Sequence, residues 1–170
     1  MSKALMKTRA AAFPSPEYRP ATPRFTKPQK YDIMISYSHH DRDLCFRIYN
    51  RLLEHKFRIW IDKENMHGLQ TNAMADAIEA SAFVIICMSD DYFNSEYCEQ
   101  EAKYAKRCKR KLIPLIMTKD FHPSGWLGFL TVDLKYINFS KYEFDKAVGM
   151  LLDEIEMYRQ WMIEKWFKAE

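Results

Sequence analysis

Apolar residues in this chain fall into short runs, separated by stretches in which they recur every three or four positions. Tyr31 to Tyr37 is the first run, followed by Leu44, Ile48 and Leu52 at helical spacing. Arg58 to Ile61 is the second, and Met74, Ala77 and Ile78 mark another helix. Phe83 to Met88, a helix over Glu96 to Lys109, Leu112 to Met117, Tyr136 to Phe139 and a closing helix from about Phe144 complete the series. Short buried strands alternating with helices imply right-handed crossovers and a parallel sheet covered on both faces. The expected architecture is α/β, a flavodoxin-like, doubly wound, five-stranded parallel sheet with helices on both faces. Ser38 and Asp41 have capping-box spacing ahead of the first helix.

In such a fold ligands sit outside the carboxyl ends of the strands, where the strand order switches. Three loops build that edge: Tyr37 to Asp41, Asp62 to Thr71, and Ser89 to Ser95. The chain has only four glycines and no Gly-rich loop among these segments, so a phosphate-cradling P-loop or Rossmann fingerprint is absent. Glu101 is the informative residue. In a helix it lies three residues after Cys98 and four before Ala105, on the face that turns toward the sheet. Burying a carboxylate there costs several kcal/mol, on the order of an uncompensated buried charge, unless something offsets it. Acidic residues early in a helix can simply complement its dipole, and Glu96 and Glu99 are read that way. The inward face of Glu101 favours a cleft role instead.

Composition narrows the function classes. With 170 residues, 48% hydrophobic and 15% aromatic, the chain suits one domain with one sizeable core. Its net charge of +3 is uneven, because residues 1–30 carry seven Lys or Arg against one Glu while the remainder is net acidic. A nucleic-acid partner therefore has little support. Residues 1–30 also hold five of the seven prolines and no sustained apolar period, and they read as a basic, Pro-rich disordered tail. Ser2 to Phe13 has a composition shared by a mitochondrial transit peptide and by a generic basic linker. Cys45, Cys87, Cys98 and Cys108 lack C-x-x-C spacing and read as reduced residues of a cytoplasmic protein, neither a disulfide frame nor a metal site. No apolar run approaches the roughly 18 residues of a membrane span. The closing stripe of Phe144, Val148, Leu151, Ile155, Tyr158 and Met162 continues past the expected domain end near Tyr158. Over 159–170, Trp161, Trp166 and Phe167 either fold back on the domain's own flank or dock another protomer or neighbouring domain.

These residues carry a family resemblance. Asp32-Ile33-Met34-Ile35-Ser36-Tyr37-Ser38 resembles the opening box of Toll/interleukin receptor (TIR) domains, and Ile59-Trp60-Ile61-Asp62 with Gly68 resembles their second strand and the loop after it. Ser95-Glu96-Tyr97-Cys98-Glu99-Gln100-Glu101 is similar to the S-x-W-C-x-x-E stretch of plant TIR domains, with Tyr97 in place of Trp. Gly125 to Gly128 followed by Tyr136-Ile137-Asn138-Phe139 resembles a branch of invertebrate multidomain TIR proteins. Three boxes in order, spanning about Tyr31 to Tyr158, are a specific signal.

The resemblance implies one of two functions. Some TIR domains cleave NAD+ at the nicotinamide–ribose bond, using the glutamate that aligns with Glu101; others only assemble through homotypic TIR–TIR contacts with other TIR proteins. On the catalytic reading NAD+ is a substrate and no cofactor is needed. Tyr37, Ser38, His39, Trp60, Asp62, Ser95 and Tyr97 are the candidate substrate contacts. Each has an alternative: Trp60 as core, Ser38 as a helix cap, and His39 with His40 as solvated loop residues. Catalytic relatives often carry an arginine just after the first box, where this chain has Ser38 and His39. A response-receiver phosphoacceptor fits less well, because the third strand ends Met88-Ser89 and Asp90-Asp91 reads as a turn cap.

Overall fold

The computed structural model describes residues 29–63 and 71–168. Nearly all of the expected tail over 1–30, the loop around Gly68 and residues 169–170 lie outside the described residues. The elements follow one another as β1 (Tyr31–Tyr37), α1 (Arg42–Glu54), β2 (Ile59–Ile61), α2 (Thr71–Glu79), β3 (Ser81–Met88), α3 (Asp90–Phe93), α4 (Glu96–Arg107), β4 (Lys111–Ile116), α5 (Gly125–Thr131), β5 (Ile137–Asn138) and α6 (Phe144–Phe167), with a 3-10 turn at His39–Asp41 before α1. All four strand pairings are parallel, in the order β2-β1-β3-β4-β5. This is the doubly wound order expected from the alternation, with its switch point between β1 and β3.

Each strand feeds two cores by simple alternation. Ile33, Ile35, Phe83, Ile85, Ile113 and Leu115 face one way, against Cys45, Ile48 and Leu52 of α1 and Val148, Leu151 and Ile155 of α6. Met34, Val84, Ile86, Leu112 and Ile116 face the other way, against Ala77 and Ile78 of α2, Tyr92 of α3, Cys98, Ala102 and Ala105 of α4, and Leu127 of α5. Burial on both faces explains why the strands read as continuous apolar runs. Helices α1 and α4 both end at a lysine in the left-handed region, Lys56 at φ 65° and Lys109 at φ 56°. There the next amide turns back into the helix, Phe57 N–H to the Leu52 carbonyl at 3.3 Å and Arg110 N–H to the Ala105 carbonyl at 3.0 Å.

The structure corrects three local readings. Ser38 and Asp41 form no capping box, since neither side chain makes a capping hydrogen bond. The Asp41 carboxylate accepts instead from Ser89 Oγ at 2.5 Å, a contact across the sheet edge. The segment Ser89 to Ser95 is not all loop, because Asp90 and Asp91 begin the single turn α3, and its cap is Ser89, whose Oγ accepts from the Tyr92 amide at 3.1 Å. Gly125 to Thr131 is a helix that the apolar pattern did not single out.

Helix α6 runs through the expected domain end as one element. Tyr158 packs edge-on to Phe83 at 5.5 Å between centroids, and Trp161 stacks on Tyr158 at 5.3 Å. Beside that stack the flank is open: Met157 is 59% and Ile163 56% exposed.

Two glycines should respond oppositely to alanine. A Cβ on Gly149 of α6 would meet nothing within 4 Å, so Gly149→Ala should gain about 1 kcal/mol of helix propensity and raise the melting temperature by a few degrees. A Cβ on Gly128 of α5 would lie 2.9 Å from the Pro123 carbonyl oxygen, and Gly128→Ala should lower it. Calorimetric melts of the two variants check both signs.

Candidate active site at the carboxyl edge of the sheet

The carboxyl ends of β1, β2 and β3 converge where the strand order switches, and α4 crosses behind them. Ser95 opens α4, its Oγ accepting from the Cys98 amide at 3.3 Å. Glu96 and Glu99 lie in the first turn, where they complement the helix dipole, and Glu99 pairs with Lys103 one turn on. With Cys98, Ala102 and Ala105 buried against the sheet, Glu101 is carried to the same side and reaches β1. Its Oε2 accepts a hydrogen bond from Ser36 Oγ at 2.5 Å.

Ser36 is itself held from the other side. Its Oγ is 2.8 Å from the hydroxyl of Tyr92, a residue with no solvent exposure, and the Tyr92 hydroxyl also reaches the Cys98 carbonyl at 3.4 Å. Burial pushes the Glu101 carboxyl up to about 7; the Ser36 hydrogen bond opposes this, and the Asp62 carboxylate adds to it. Burial likewise raises Tyr92 well above an ordinary phenol, so that it stays protonated across the physiological range. Asp41 is also raised, by burial, against the lowering effect of its Ser89 hydrogen bond.

The other sequence candidates divide by position. Tyr37 points into the opposite core, and its hydroxyl donates to the Asp62 carbonyl at 2.6 Å, tying the end of β1 to the end of β2. Ser38 is buried at the turn after β1. His39 is exposed, with its ring against that of His40, and His40 lies 3.6 Å from Asp91. Tyr97 sits exposed on the first turn of α4. Trp60 pairs in register with Met34, one step back from Ser36 on the same face. It lines a groove of about 480 Å³ with Lys30, Tyr31, Ala73, Asp76, Ala77 and Ala80, toward the start of β1. Cys98 is buried and its thiol is pushed up to about 12 by burial, which suits a core residue and not a nucleophile.

Sequence reasoning missed two members of this site. Ser36 stood within the first box without a role, and Tyr92 lay in a segment read as loop. A hydroxyl inside an otherwise hydrocarbon strand was the available signal for Ser36.

The TIR domain family model matches residues 33–152. The chain belongs to the TIR domain family. Among solved structures it is similar to the TIR domain of the Toll-related receptor TRR-2 from Hydra magnipapillata, with a TM-score of 0.61 and 19% identity over 74% of this chain and 98% of that one. It is also similar to the TIR domains of the activated Roq1 resistosome, which directly recognises the pathogen effector XopQ, with a TM-score of 0.57 and 17% identity over 74% of this chain and 99% of that one. At these identities the likeness is one of fold. No curated protein matches the chain. Among the described residues of this TIR domain, no helix is long and apolar enough to cross a membrane.

The raised pKa of Glu101 links this site to stability. A carboxyl at about 7 in the folded state and near the ordinary 4.5 in the unfolded state binds more protons when folded between those values. Its contribution is therefore most favourable below 4.5 and is lost as pH rises through 7. Glu101→Gln, which keeps the volume, should gain stability relative to the parent between pH 5 and pH 8. Denaturant unfolding of both proteins across that range measures the difference, and a constant difference would contradict the assigned environment.

Proposed function

We propose that this TIR domain is an NAD+ nucleosidase that cleaves the nicotinamide–ribose bond with Glu101 as its catalytic residue. Homotypic TIR–TIR assembly switches it on, in cytoplasmic innate-immune or cell-death signalling. The observation that supports this reading is a half-buried carboxylate held in one orientation by Ser36 at the switch point of the sheet. Breaking the N-glycosidic bond develops positive charge on the ribose ring, and an ionised carboxylate beside that ring stabilises it. The electron pair of the broken bond leaves with nicotinamide as a neutral ring, so no general acid is required. A nucleophile, water in the hydrolytic case, then takes the ribosyl carbon.

On this reading Ser38 and Asp62, at the ends of neighbouring strands, flank the ribose, and Tyr37 fixes the Asp62 backbone from below. Exposed His39 reaches the pyrophosphate when protonated, and exposed Tyr97 offers a ring to a base. Ser95 is occupied as the α4 cap and Trp60 faces the groove beside α2, so neither is given a substrate contact.

Assembly without catalysis is the second reading. It is favoured by exposed apolar side chains that a protein contact would cover, Phe129 and Val132 at α5 and Trp161 on α6.

Glu101→Gln should reduce NAD+ cleavage at least about a hundredfold, the scale of losing one electrostatic stabiliser, with the fold intact by circular dichroism. Parent activity should rise to a plateau as pH passes about 7. Activity per molecule should also rise with protein concentration, as a site completed by assembly requires. Nicotinamide release followed by chromatography reads all three. No release even at high concentration or under crowding, with self-association retained in light scattering, would replace the enzymatic reading with the assembly one.

A further inference from the structure

We propose that Tyr92 and Ser36 form a one-directional hydrogen-bond chain aimed at Glu101, which makes Tyr92 a positioning residue that keeps the carboxylate ionised and fixed in orientation. The inference deepens the reading of Glu101 as the catalytic group and rests on it for its functional meaning.

Ser36 carries one hydroxyl proton and Tyr92 one. An ionised Glu101 can only accept, so the Ser36 proton goes to its Oε2, at 2.5 Å. Ser36 Oγ is then left as an acceptor, and the Tyr92 hydroxyl 2.8 Å away is positioned to donate to it. Tyr92 has a second acceptor in reach, the Cys98 carbonyl, but at 3.4 Å that bond is long for an O–H donor. Both short contacts are therefore satisfied together when Glu101 is ionised.

Protonating Glu101 weakens or reverses the chain. A proton on Oε1 leaves Oε2 a neutral acceptor, so the Ser36 bond loses its charge assistance; a proton on Oε2 donates to Ser36 Oγ, Ser36 turns its own proton toward the Tyr92 oxygen, and Tyr92 must move its proton onto the distant Cys98 carbonyl. Either way a good hydrogen bond is exchanged for a poorer one. The chain thus opposes the burial that drives Glu101 toward its neutral form, and it does so from a tyrosine that never contacts the carboxylate. Tyr92 is suited to the task because it is fully buried, its ring packs near Trp126 at 6.3 Å between centroids, and α3 fixes its backbone through the Ser89 cap.

Other ionisable groups face this chain from neighbouring elements. Asp62 at the end of β2 acts on Glu101. Cys98 in α4 and Cys87 in β3 act on Tyr92, and Asp41 in the turn before α1 acts on both cysteines. Both thiols are pushed above their ordinary range, chiefly by burial, and stay neutral through the pH range in which Glu101 ionises. Asp62 pushes Glu101 in the direction opposite to the chain, so its presence cannot mimic the effect sought.

The test is a direct titration of the Glu101 side-chain carboxyl by carbon-13 NMR in the full chain without NAD+, with the resonance identified by its absence in Glu101→Gln. Tyr92→Phe keeps the ring and removes only the hydroxyl. The midpoint in Tyr92→Phe should move up by about one pH unit, the scale of one hydrogen bond to a charged network. Ser36→Ala should move it at least as far. The double variant should move no further than Ser36→Ala alone, because Tyr92 acts only through Ser36. If NAD+ is cleaved, the acidic limb of kcat/KM in Tyr92→Phe should shift up with the midpoint, a displacement that a merely structural loss would not produce. An unmoved midpoint in Tyr92→Phe, or an additive shift in the double variant, overturns the proposal; should Tyr92→Phe not fold, an unmoved midpoint in Ser36→Ala overturns it equally. A parent that shows the shifts but never cleaves NAD+ would retain the chain and retire the enzymatic reading.

Discussion

A parallel sheet covered on both faces leaves almost no place for a charge in its interior, and in this protein one carboxylate is nevertheless carried to the sheet by the helix that covers it. What makes this tolerable is the hydrogen bond from Ser36, the lone hydroxyl between Met34 and Tyr37 on a strand that is otherwise buried hydrocarbon and aromatic there. The rest of the edge is arranged around that contact. Tyr92 lies behind Ser36, Tyr37 locks the neighbouring strand end from the opposite core, and Ser89 joins the turn before α1 to the cap of α3. Apart from the α3 cap, each of these bonds joins a different pair of segments, so the polar groups at the switch point hold one another in place.

The electrostatic result is a compromise between opposing effects of similar kind. Burial and the nearby Asp62 favour a neutral Glu101, while the hydrogen bond from Ser36 favours an ionised one. A carboxyl balanced near neutrality differs from the salt-bridged acids elsewhere on the surface, such as Asp32 with Arg58, where an opposite charge at 3.0 Å leaves no doubt about the ionised form. This carboxyl is tuned by burial, by the Ser36 hydroxyl and by the like charge of Asp62.

Much of this was legible along the chain, and the reasons are specific. Strand β1 was read with its observed bounds because both its faces are buried and the run is unbroken. The inward face of Glu101 followed from helical spacing to Cys98 and Ala105, both of which are buried. What escaped was set by contacts between distant residues. Ser36 meets Glu101 across 65 positions and Tyr92 across 56, and no local period records such a pairing. The capping box failed for the same reason, since Asp41 found Ser89, 48 residues on, in place of its own helix end. Short elements escaped too: α3 is one turn and α5 two, below the length at which an apolar stripe declares itself.

The parallel connections also fix the order in which this chemistry can come into being. Every strand pairing joins residues separated by an intervening helix, and central β1 cannot meet β3 until both β2 and α2 have been set aside, with Tyr31 opposite Ser81. Such topologies close large loops before their contacts reward the closure and fold slowly for their size. Until these contacts close, Glu101 is an ordinary, hydrated side chain. Its buried, Ser36-bonded form exists only once β1 has met β3 and α4 has docked on the sheet, so the environment of this carboxyl is a product of long-range closure and of no local segment.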